Sequence, residues 1–279
     1  MFNSTGIVGV GLMGSSIALE LKKRGLTRNI IGFDEDRASL EAAKSKGIVD
    51  EAAADLSEFD ECDFAIVATP VFSIAPIVNR LGSIMRQDAI IIDVGSLKAA
   101  VLKQISLEKL NAAFVPVHPI AGIEKFGVHA ARMGLFDGAY CIITPFDGLK
   151  DEAFDRVKVL IKRLGMRLEI MDPEEHDRVF AYISHLPHLI AYALVGLVEE
   201  KNNEKFKFIG GGFRDFTRIA ASSERMWSEI FLMNKDNMLM AIREYKDHIE
   251  RIEGFIAEGD LNRLADYLKM ARLFKESLG

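Results

Sequence analysis

Short apolar runs recur along the first part of the chain, and segments with helical spacing separate them. The runs that predict strands are residues 5–10, 29–33, 64–69, 89–94, 113–117, 140–144 and 167–171. Between the first three of these runs, residues 15–23 and 37–46 have the spacing or composition of helices. Strands that alternate with helices of this length form βαβ units with right-handed crossovers. The pattern therefore predicts an α/β domain built on a parallel sheet.

A glycine-rich turn, Gly9-Val10-Gly11-Leu12-Met13-Gly14, follows the first predicted strand and opens the first predicted helix. In such a motif the first glycine permits a tight turn, the second lets the backbone approach a pyrophosphate, and the third allows close helix packing. Asp34 follows Gly14 by 20 residues and closes the next strand, where a carboxylate can accept hydrogen bonds from the adenosine ribose. The cofactor site is thus predicted at Gly9, Gly11, Leu12, Met13, Gly14 and Asp34. Asp34 favours NAD over NADP because it repels a 2′-phosphate, although Arg37 nearby leaves NADP open.

The period of the apolar positions changes after Asp172 and Pro173, and no strand is predicted beyond them. One apolar helix face recurs with spacings of four and three at Met238, Ile242, Tyr245, Ile249, Ile252 and Ile256. We predict that Asn234 caps this helix and that Gly259 and Asp260 separate it from the next one. The chain therefore divides into an N-terminal Rossmann-type domain at residues 1–172 and an all-helical C-terminal domain at residues 173–279.

Composition and charge narrow the class of protein. The chain is 49% hydrophobic and 27% charged, which is ordinary for a soluble protein, and its net charge of -6 argues against non-specific nucleic-acid binding. Two cysteines, Cys62 and Cys141, are too few for a disulfide framework. The first residues lack the pattern of a signal peptide, and the apolar residues 188–198 fall short of the ~18 needed to cross a membrane. These features predict a cytoplasmic protein without a nucleic-acid or membrane partner.

Candidate chemistry begins at His118, which follows the predicted strand at residues 113–117. It is expected at the carboxyl edge of the sheet, where ligands bind in open α/β proteins. A neutral imidazole beside a nicotinamide ring can take a proton while a hydride leaves for the cofactor. His185 and His188 are three residues apart and share a helix face, with Pro187 in its first turn. Two histidines without a nearby third ligand make a poor zinc site, so no metal is predicted.

Five segments of the chain resemble the prephenate dehydrogenase family of tyrosine biosynthesis, whose close relatives are the arogenate dehydrogenases. They lie at residues 95–98, 117–122, 134–138, 184–188 and 210–220. The resemblance spans nearly the whole chain and implies NAD-dependent oxidation of prephenate. In that reaction the 4-hydroxyl loses a proton, C4 gives a hydride to NAD⁺, and the ring carboxylate leaves as CO₂.

The resemblance also implies a role for individual residues. His118 matches the general base, and Ser96 matches the serine that holds this histidine and the substrate hydroxyl. His185 matches a residue near the nicotinamide, and His188 one that helps to bind the substrate. Arg218 matches the arginine that grips the ring carboxylate, since a guanidinium binds a carboxylate in two places. Alternatives remain, because a serine at this point can also be a helix cap, and Arg214, one helical turn before Arg218, could instead bind the carboxylate or be a solvated charge.

Other residues of interest receive simpler interpretations. Glu124 matches an acidic position that can pair with the substrate-binding arginine when the site is empty, or it is a surface residue. Trp227 is predicted to pack between helices. His129, His176 and His248 fit no motif and are predicted to lie on the surface.

The helical domain of this family is also its dimer interface, so the resemblance implies a homodimer. Three alternatives to a prephenate dehydrogenase remain open. One is an arogenate or dual-specificity enzyme, although a cationic His188 would suit the pyruvyl carboxylate of prephenate better than an ammonium group. Another is a β-hydroxyacid dehydrogenase, which relies on a catalytic lysine and a Ser-Gly-Gly loop. The last is a non-catalytic NAD(H) sensor.

Overall fold

The computed structural model of the chain describes residues 2–122, 125–201 and 204–278. One sheet runs through the first part of the fold. Its strands are β1 (Phe2–Val8), β2 (Thr27–Phe33), β3 (Glu51–Ala52), β4 (Phe64–Val67), β5 (Ile90–Asp93), β6 (Ala113–Ile120), β7 (Tyr140–Ile143) and β8 (Arg167–Ile170). Their spatial order is β3-β2-β1-β4-β5-β6-β7-β8. The predicted strands are therefore confirmed, and the short β3 is an edge strand that the sequence pattern missed.

Helices connect most of the strands and are the only regular secondary structure of the described residues after β8. They are α1 (Leu12–Lys23), α2 (Arg37–Ser45), α3 (Val71–Ile84), α4 (Ala99–Leu102), α5 (Asp151–Arg163), α6 (Pro173–Phe180), α7 (Leu186–Lys201), α8 (Gly211–Thr217), α9 (Glu224–Met233), α10 (Lys235–Ala257) and α11 (Leu261–Ser277). Beyond Pro173 the described residues contain no strand, as the change of period predicts. Asp260 caps α11 by accepting a hydrogen bond from Arg263 N, also as predicted.

The sheet is parallel except at one pair of neighbours, β6 and β7, which run antiparallel. The sequence pattern predicted parallel pairing throughout, and this pair is the exception. Among the described residues between the two strands there is only a 3₁₀ turn, Val128–Ala130, and no α-helix. A parallel pair usually needs a helical crossover, whereas a direct connection returns the chain antiparallel. The antiparallel ladder extends β6 to Ile120, so that His118 pairs with Ile142 beyond the last residue of β5.

Alternate side chains of the central strands enter two hydrophobic clusters. In β4, Phe64 and Ile66 belong to one cluster, while Ala65 and Val67 belong to the other. Successive side chains of a strand point to opposite faces, so both faces of this sheet are covered. Trp227 in α9 is part of the second cluster, which places the first helices of the later chain in the same core as the sheet.

A continuous helix begins at the predicted domain boundary. It runs over Pro173–Lys201 and contains a π-helical turn, Ala181–His185, between α6 and α7. Pro187 has no N–H to donate to the preceding turn, which accounts for a local break in the α-helical pattern. By length and composition alone this helix could cross a membrane, although the apolar stretch of the sequence was predicted to be too short. One such helix is weak evidence for a membrane span, and 22% of its apolar window is buried inside the protein.

The described residues up to Asn234 form one compact unit, and those from Lys235 onward form a second. Within the second unit, α10 packs against α11, and His248 is hydrogen-bonded to the hydroxyl of Tyr267 at 2.7 Å. The predicted domain boundary beside Pro173 remains a prediction.

Candidate active site

The glycine-rich turn joins β1 to α1. Gly9 adopts a φ of +91°, which L side chains rarely adopt, and a Cβ there would also collide with the carbonyl of Ala68. A Cβ on Gly14 would collide with the carbonyl of Gly9. Gly11 is different, because a Cβ there would meet nothing within 4 Å, and no side chain caps the helix that follows. The turn thus combines tight packing with open space before a helix N-terminus. Leu12 and Met13 lie in the first helical turn and pack partly against the core.

Asp34 directly follows β2 and faces the same turn. Its carboxylate accepts hydrogen bonds from Val10 N at 2.8 Å and from Asp36 N at 2.9 Å. Each carboxylate oxygen retains a second lone pair for a ligand hydroxyl. The guanidinium of Arg37 donates to the carbonyls of Ala53 and Ala54 at 3.0 and 2.7 Å. The side chain of Arg37 is therefore held by hydrogen bonds to the backbone that follows β3.

His118 lies in β6 at the carboxyl edge of the parallel part of the sheet, as predicted. Its Nδ1 lies 2.8 Å from Nε2 of His176 in α6. The other ring nitrogen, Nε2, makes no hydrogen bond with any described residue. Burial lowers the pKa of His118 well below its usual value, and the nearby positive charge of Lys98 lowers it further. His118 is therefore neutral at pH 7 and has a nitrogen available to accept a proton.

His176 was predicted to lie on the surface, and that prediction is wrong. Its side chain is 0% exposed, and its Nδ1 lies 2.9 Å from the carboxylate of Asp177. Phe180, one turn later, stacks on the His176 ring and also contacts the His118 ring. The sequence contained a signal for this burial, because Pro173, His176, Asp177 and Phe180 are spaced like one helix face. The charged residues between them hid that signal. His129 and His248 are exposed, as predicted.

Lys98 lies near His118, and its side chain is 0% exposed. Its ammonium group forms an ion pair with Asp93 at the end of β5 and donates to the carbonyl of Val117 at 2.7 Å. Asp93 is equally buried. This pair ties the end of β5 to the residue that precedes His118. Lys98 was part of a segment used for the family resemblance, but no role was predicted for it.

His185 belongs to the π-helical turn and is 0% exposed. Asn234 donates its side-chain amide to the backbone carbonyl of Asp177 at 2.8 Å and lies 3.2 Å from Nδ1 of His185. An amide N–H donates, so Nδ1 of His185 is the acceptor and its Nε2 carries the proton. That Nε2 is buried and has no partner among the described residues. Burial lowers the pKa of His185 to about 4, so the ring is neutral and offers one unused donor.

His188 lies one turn further along the same helix. Its Nδ1 donates to the carbonyl of Ser184 at 2.8 Å, and its ring stacks on Trp227 with centroids 3.7 Å apart. Trp227 is buried, which confirms it as a packing residue and also places it against a predicted site residue. The indole therefore fixes the plane of the His188 ring.

For the remaining predicted site residues, the structure describes no hydrogen bond with His118. Ser96 follows β5 and makes no hydrogen bond with any described residue, so His176, not Ser96, holds Nδ1 of His118. Arg218 begins a 3₁₀ turn after α8 and is exposed. Glu124 lies outside the described residues.

The segment at residues 134–138 has a structural role. Gly134 N donates to the buried carboxylate of Glu20 at 2.6 Å, and Asp137 accepts from Arg24 at 2.8 Å. Arg24 also donates to Glu20 at 2.6 Å. The segment at residues 134–138, which is one of those that resemble the family, therefore holds the chain before β7 against α1.

Comparison with known proteins identifies the family. The model described as prephenate dehydrogenase, nucleotide-binding domain, matches residues 17–170, and that described as prephenate dehydrogenase, dimerization domain, matches residues 172–270. Prephenate dehydrogenase of Bacillus subtilis is 36% identical over 278 residues, which are 98% of this chain and 75% of that protein. The chain belongs to the prephenate dehydrogenase family. The two matches meet beside Pro173, where the apolar period changes.

Two further relatives extend the comparison within the prephenate dehydrogenase family. Cyclohexadienyl dehydrogenase of Zymomonas mobilis is 31% identical over 96% of this chain and 94% of its own. The crystal structure of prephenate dehydrogenase from Aquifex aeolicus in complex with hydroxyphenyl propionate and NAD⁺ has a TM-score of 0.94 and 35% identity, covering 100% of this chain and 99% of that chain. This chain is therefore a dehydrogenase with a nucleotide-binding domain and a dimerization domain.

Proposed function

We propose that the chain catalyses the NAD-dependent oxidative decarboxylation of prephenate to 4-hydroxyphenylpyruvate. The observation that carries this proposal is the neutral, partly buried His118, whose Nε2 makes no hydrogen bond with a described residue at the ligand-binding edge of the sheet. The names of the relatives at 35–36% identity supply the reaction class. A β-hydroxyacid dehydrogenase would instead rely on a catalytic lysine, and a non-catalytic sensor would need no base.

The glycine-rich turn fits a dinucleotide. Open space beside Gly11 leaves room for a pyrophosphate, and the uncapped start of α1 offers backbone N–H groups to its charge. We assign the cofactor to Gly9, Gly11, Leu12, Met13, Gly14 and Asp34, with the unused donor of His185 near the nicotinamide. NAD⁺, when bound, accepts the hydride from the substrate.

Replacing Asp34 with alanine is expected to weaken NAD⁺ binding and to relax the discrimination against NADP⁺, because the carboxylate repels a 2′-phosphate. The measurement is kcat/KM for each cofactor at saturating substrate. Arg37→Ala provides the matched comparison, because Arg37 is held by the carbonyls of Ala53 and Ala54. It should leave the ratio of the two values unchanged. An unchanged ratio in Asp34→Ala would refute the ribose assignment.

Each residue of the proposed active site has a separate role in the reaction. His118 Nε2 accepts the proton of the substrate 4-hydroxyl as the C4–H bond breaks with its electron pair. The bond between the ring and its carboxylate then breaks, CO₂ leaves, and the bonding electrons stay in the ring, which becomes aromatic. Ser96 would bind the 4-hydroxyl and Arg218 the ring carboxylate. His188 would bind the pyruvyl carboxylate only with Nε2 protonated, because its Nδ1–H already donates to Ser184 and burial lowers the pKa of the ring. Glu124 would pair with Arg218 when no substrate is bound.

Arogenate is the alternative substrate, and the cyclohexadienyl dehydrogenase relative favours testing it. The purified protein is mixed with NAD⁺ and either substrate, and the absorbance of NADH is followed. We expect kcat/KM to be higher with prephenate than with arogenate. Similar values would indicate a dual-specificity enzyme. If neither substrate produces NADH although NAD⁺ binding is demonstrated, the proposed function is wrong.

We propose that a second copy of the chain is the protein partner, since the later helices match a dimerization domain. Exposed apolar side chains support this assembly: Ile183, Val195, Leu197, Leu268, Met270 and Phe274. The net charge of -6 and the two buried, unpaired cysteines fit a cytoplasmic enzyme without a nucleic-acid or membrane partner.

A further inference from the structure

His176 and Asp177 are buried titratable residues to which the proposed reaction gives no role. They are adjacent in α6, and His176 contacts His118 directly. We propose that His176, held by Asp177, is a positioning residue that fixes His118 in the tautomer with its lone pair on Nε2. This inference rests on the proposed function, because it takes His118 to be the base.

The direction of the hydrogen bonds begins at Asp177. Its carboxylate accepts from Lys98 N at 2.7 Å and from Ala100 N at 3.0 Å, at the start of α4. An ionised carboxylate only accepts, so the third contact requires that Nδ1 of His176 donates its proton. A neutral imidazole has one N–H, so Nε2 of His176 must then be an acceptor.

The same reasoning applies to the next ring. Because Nε2 of His176 accepts, Nδ1 of His118 must carry the proton in their 2.8 Å hydrogen bond. Nε2 of His118 is then left with its lone pair. The opposite tautomer of His118 would require a doubly protonated His176. Burial lowers the pKa of His176, and Lys98 nearby lowers it further, although Asp177 opposes both effects. The doubly protonated form is therefore disfavoured.

The arrangement also suits the step after proton transfer. When His118 Nε2 has taken the substrate proton, the ring is an imidazolium whose Nδ1–H still donates to His176. His176 in turn donates to the negative charge of Asp177, which stabilises the cation through two hydrogen bonds. Phe180 contacts both imidazoles, with centroid distances of 4.8 Å to His118 and 4.5 Å to His176, and limits their rotation.

The tautomer of His118 can be measured in the unsubstituted protein. The chain has six histidines, so long-range ¹⁵N–¹H spectra of the whole protein resolve few side-chain patterns. The His118 signals are assigned by their loss in His118→Asn. At neutral pH we expect a protonated Nδ1 and an unprotonated Nε2. A protonated Nε2 with an unprotonated Nδ1 would overturn the proposal.

Two substitutions of His176 separate positioning from packing. Gln places its amide oxygen near the position of Nε2 and can still accept from His118, whereas Asn reaches only to the position of Nδ1. We expect His176→Asn to lower kcat by roughly 10²-fold with KM values unchanged, and His176→Gln to restore most of kcat. His129→Asn, at an exposed histidine, should leave kcat unchanged. An equal loss in the Asn and Gln variants, with equally lowered thermal midpoints, would show a packing role only.

A double substitution tests whether His176 acts through His118. If it does, His118→Asn/His176→Asn should be no slower than His118→Asn alone. A double variant slowed by the product of the two single effects would overturn the proposal. Should His118→Asn itself keep the wild-type kcat, the assignment of the base fails, which is a failure of the proposed function. A wild-type kcat in His176→Asn, with a normal loss in His118→Asn, is a failure of the positioning role alone.

Discussion

Replacement of His118 with alanine is expected to lower kcat by about 10²–10⁴-fold, or roughly 3–5 kcal/mol of activation free energy. The reason is that the described site offers this imidazole as a neutral base with a free ring nitrogen. Alanine removes the proton acceptor but leaves the glycine-rich turn untouched. NAD⁺ affinity should therefore stay close to that of the wild type. The measurement is the initial rate of NADH formation at saturating prephenate and NAD⁺.

The matched control is His129→Ala, which removes an exposed imidazole from a 3₁₀ turn. It should retain the wild-type rate. Binding of NADH, followed by its fluorescence, checks that His118→Ala still folds and holds the cofactor. A His118→Ala protein that keeps more than about a tenth of the rate would contradict the base assignment, since general bases contribute more than this.

The sheet was predictable because its strands are short apolar runs separated by helices. The direction of β7 was not, because an apolar run such as Tyr140–Ile143 has the same composition in a parallel or an antiparallel ladder. Direction depends on the connection before the strand, and residues 121–139 contain no apolar period that would predict or exclude a crossover helix. The extension of β6 through Pro119 was missed for a related reason, because proline does not donate to a sheet ladder.

The candidate site likewise contains residues that the sequence predicted and residues that it missed. His118 and the glycine-rich turn could be found because each stands at a strand end in a recognisable order. The partner of His118 could not be found from a motif, because His176 lies 58 residues later and becomes a neighbour only through the fold. Burial of Lys98 and Asp93 was equally hidden, since isolated charges are usually solvated. Sequence alone thus predicted the base and missed the buried charges and the imidazole that surround it.

The largest expected loss of stability comes from Lys98→Met. This change removes the cation from a fully buried ion pair and leaves the Asp93 carboxylate without it, a situation that typically costs about 3–5 kcal/mol. Lys98 also donates to the carbonyl of Val117, so the backbone before His118 loses a hydrogen bond. The measurement is the free energy of unfolding from urea denaturation. Lys103→Met is the control, because its ion pair with Glu174 is exposed and should contribute little.

The pH dependence of this loss has a definite sign. Burial raises the pKa of Asp93 despite the opposing charge of Lys98, and removal of Lys98 raises it further. A carboxyl whose pKa is higher in the folded state contributes stability at low pH and loses that contribution as the pH rises through the folded pKa. The deficit of Lys98→Met should therefore be greatest at neutral pH and shrink toward pH ~4, where Asp becomes protonated even when unfolded. Asp93→Leu combined with Lys98→Met removes both charges and should recover much of the stability. A deficit as small as that of Lys103→Met would show that the pair does not stabilise the fold near His118.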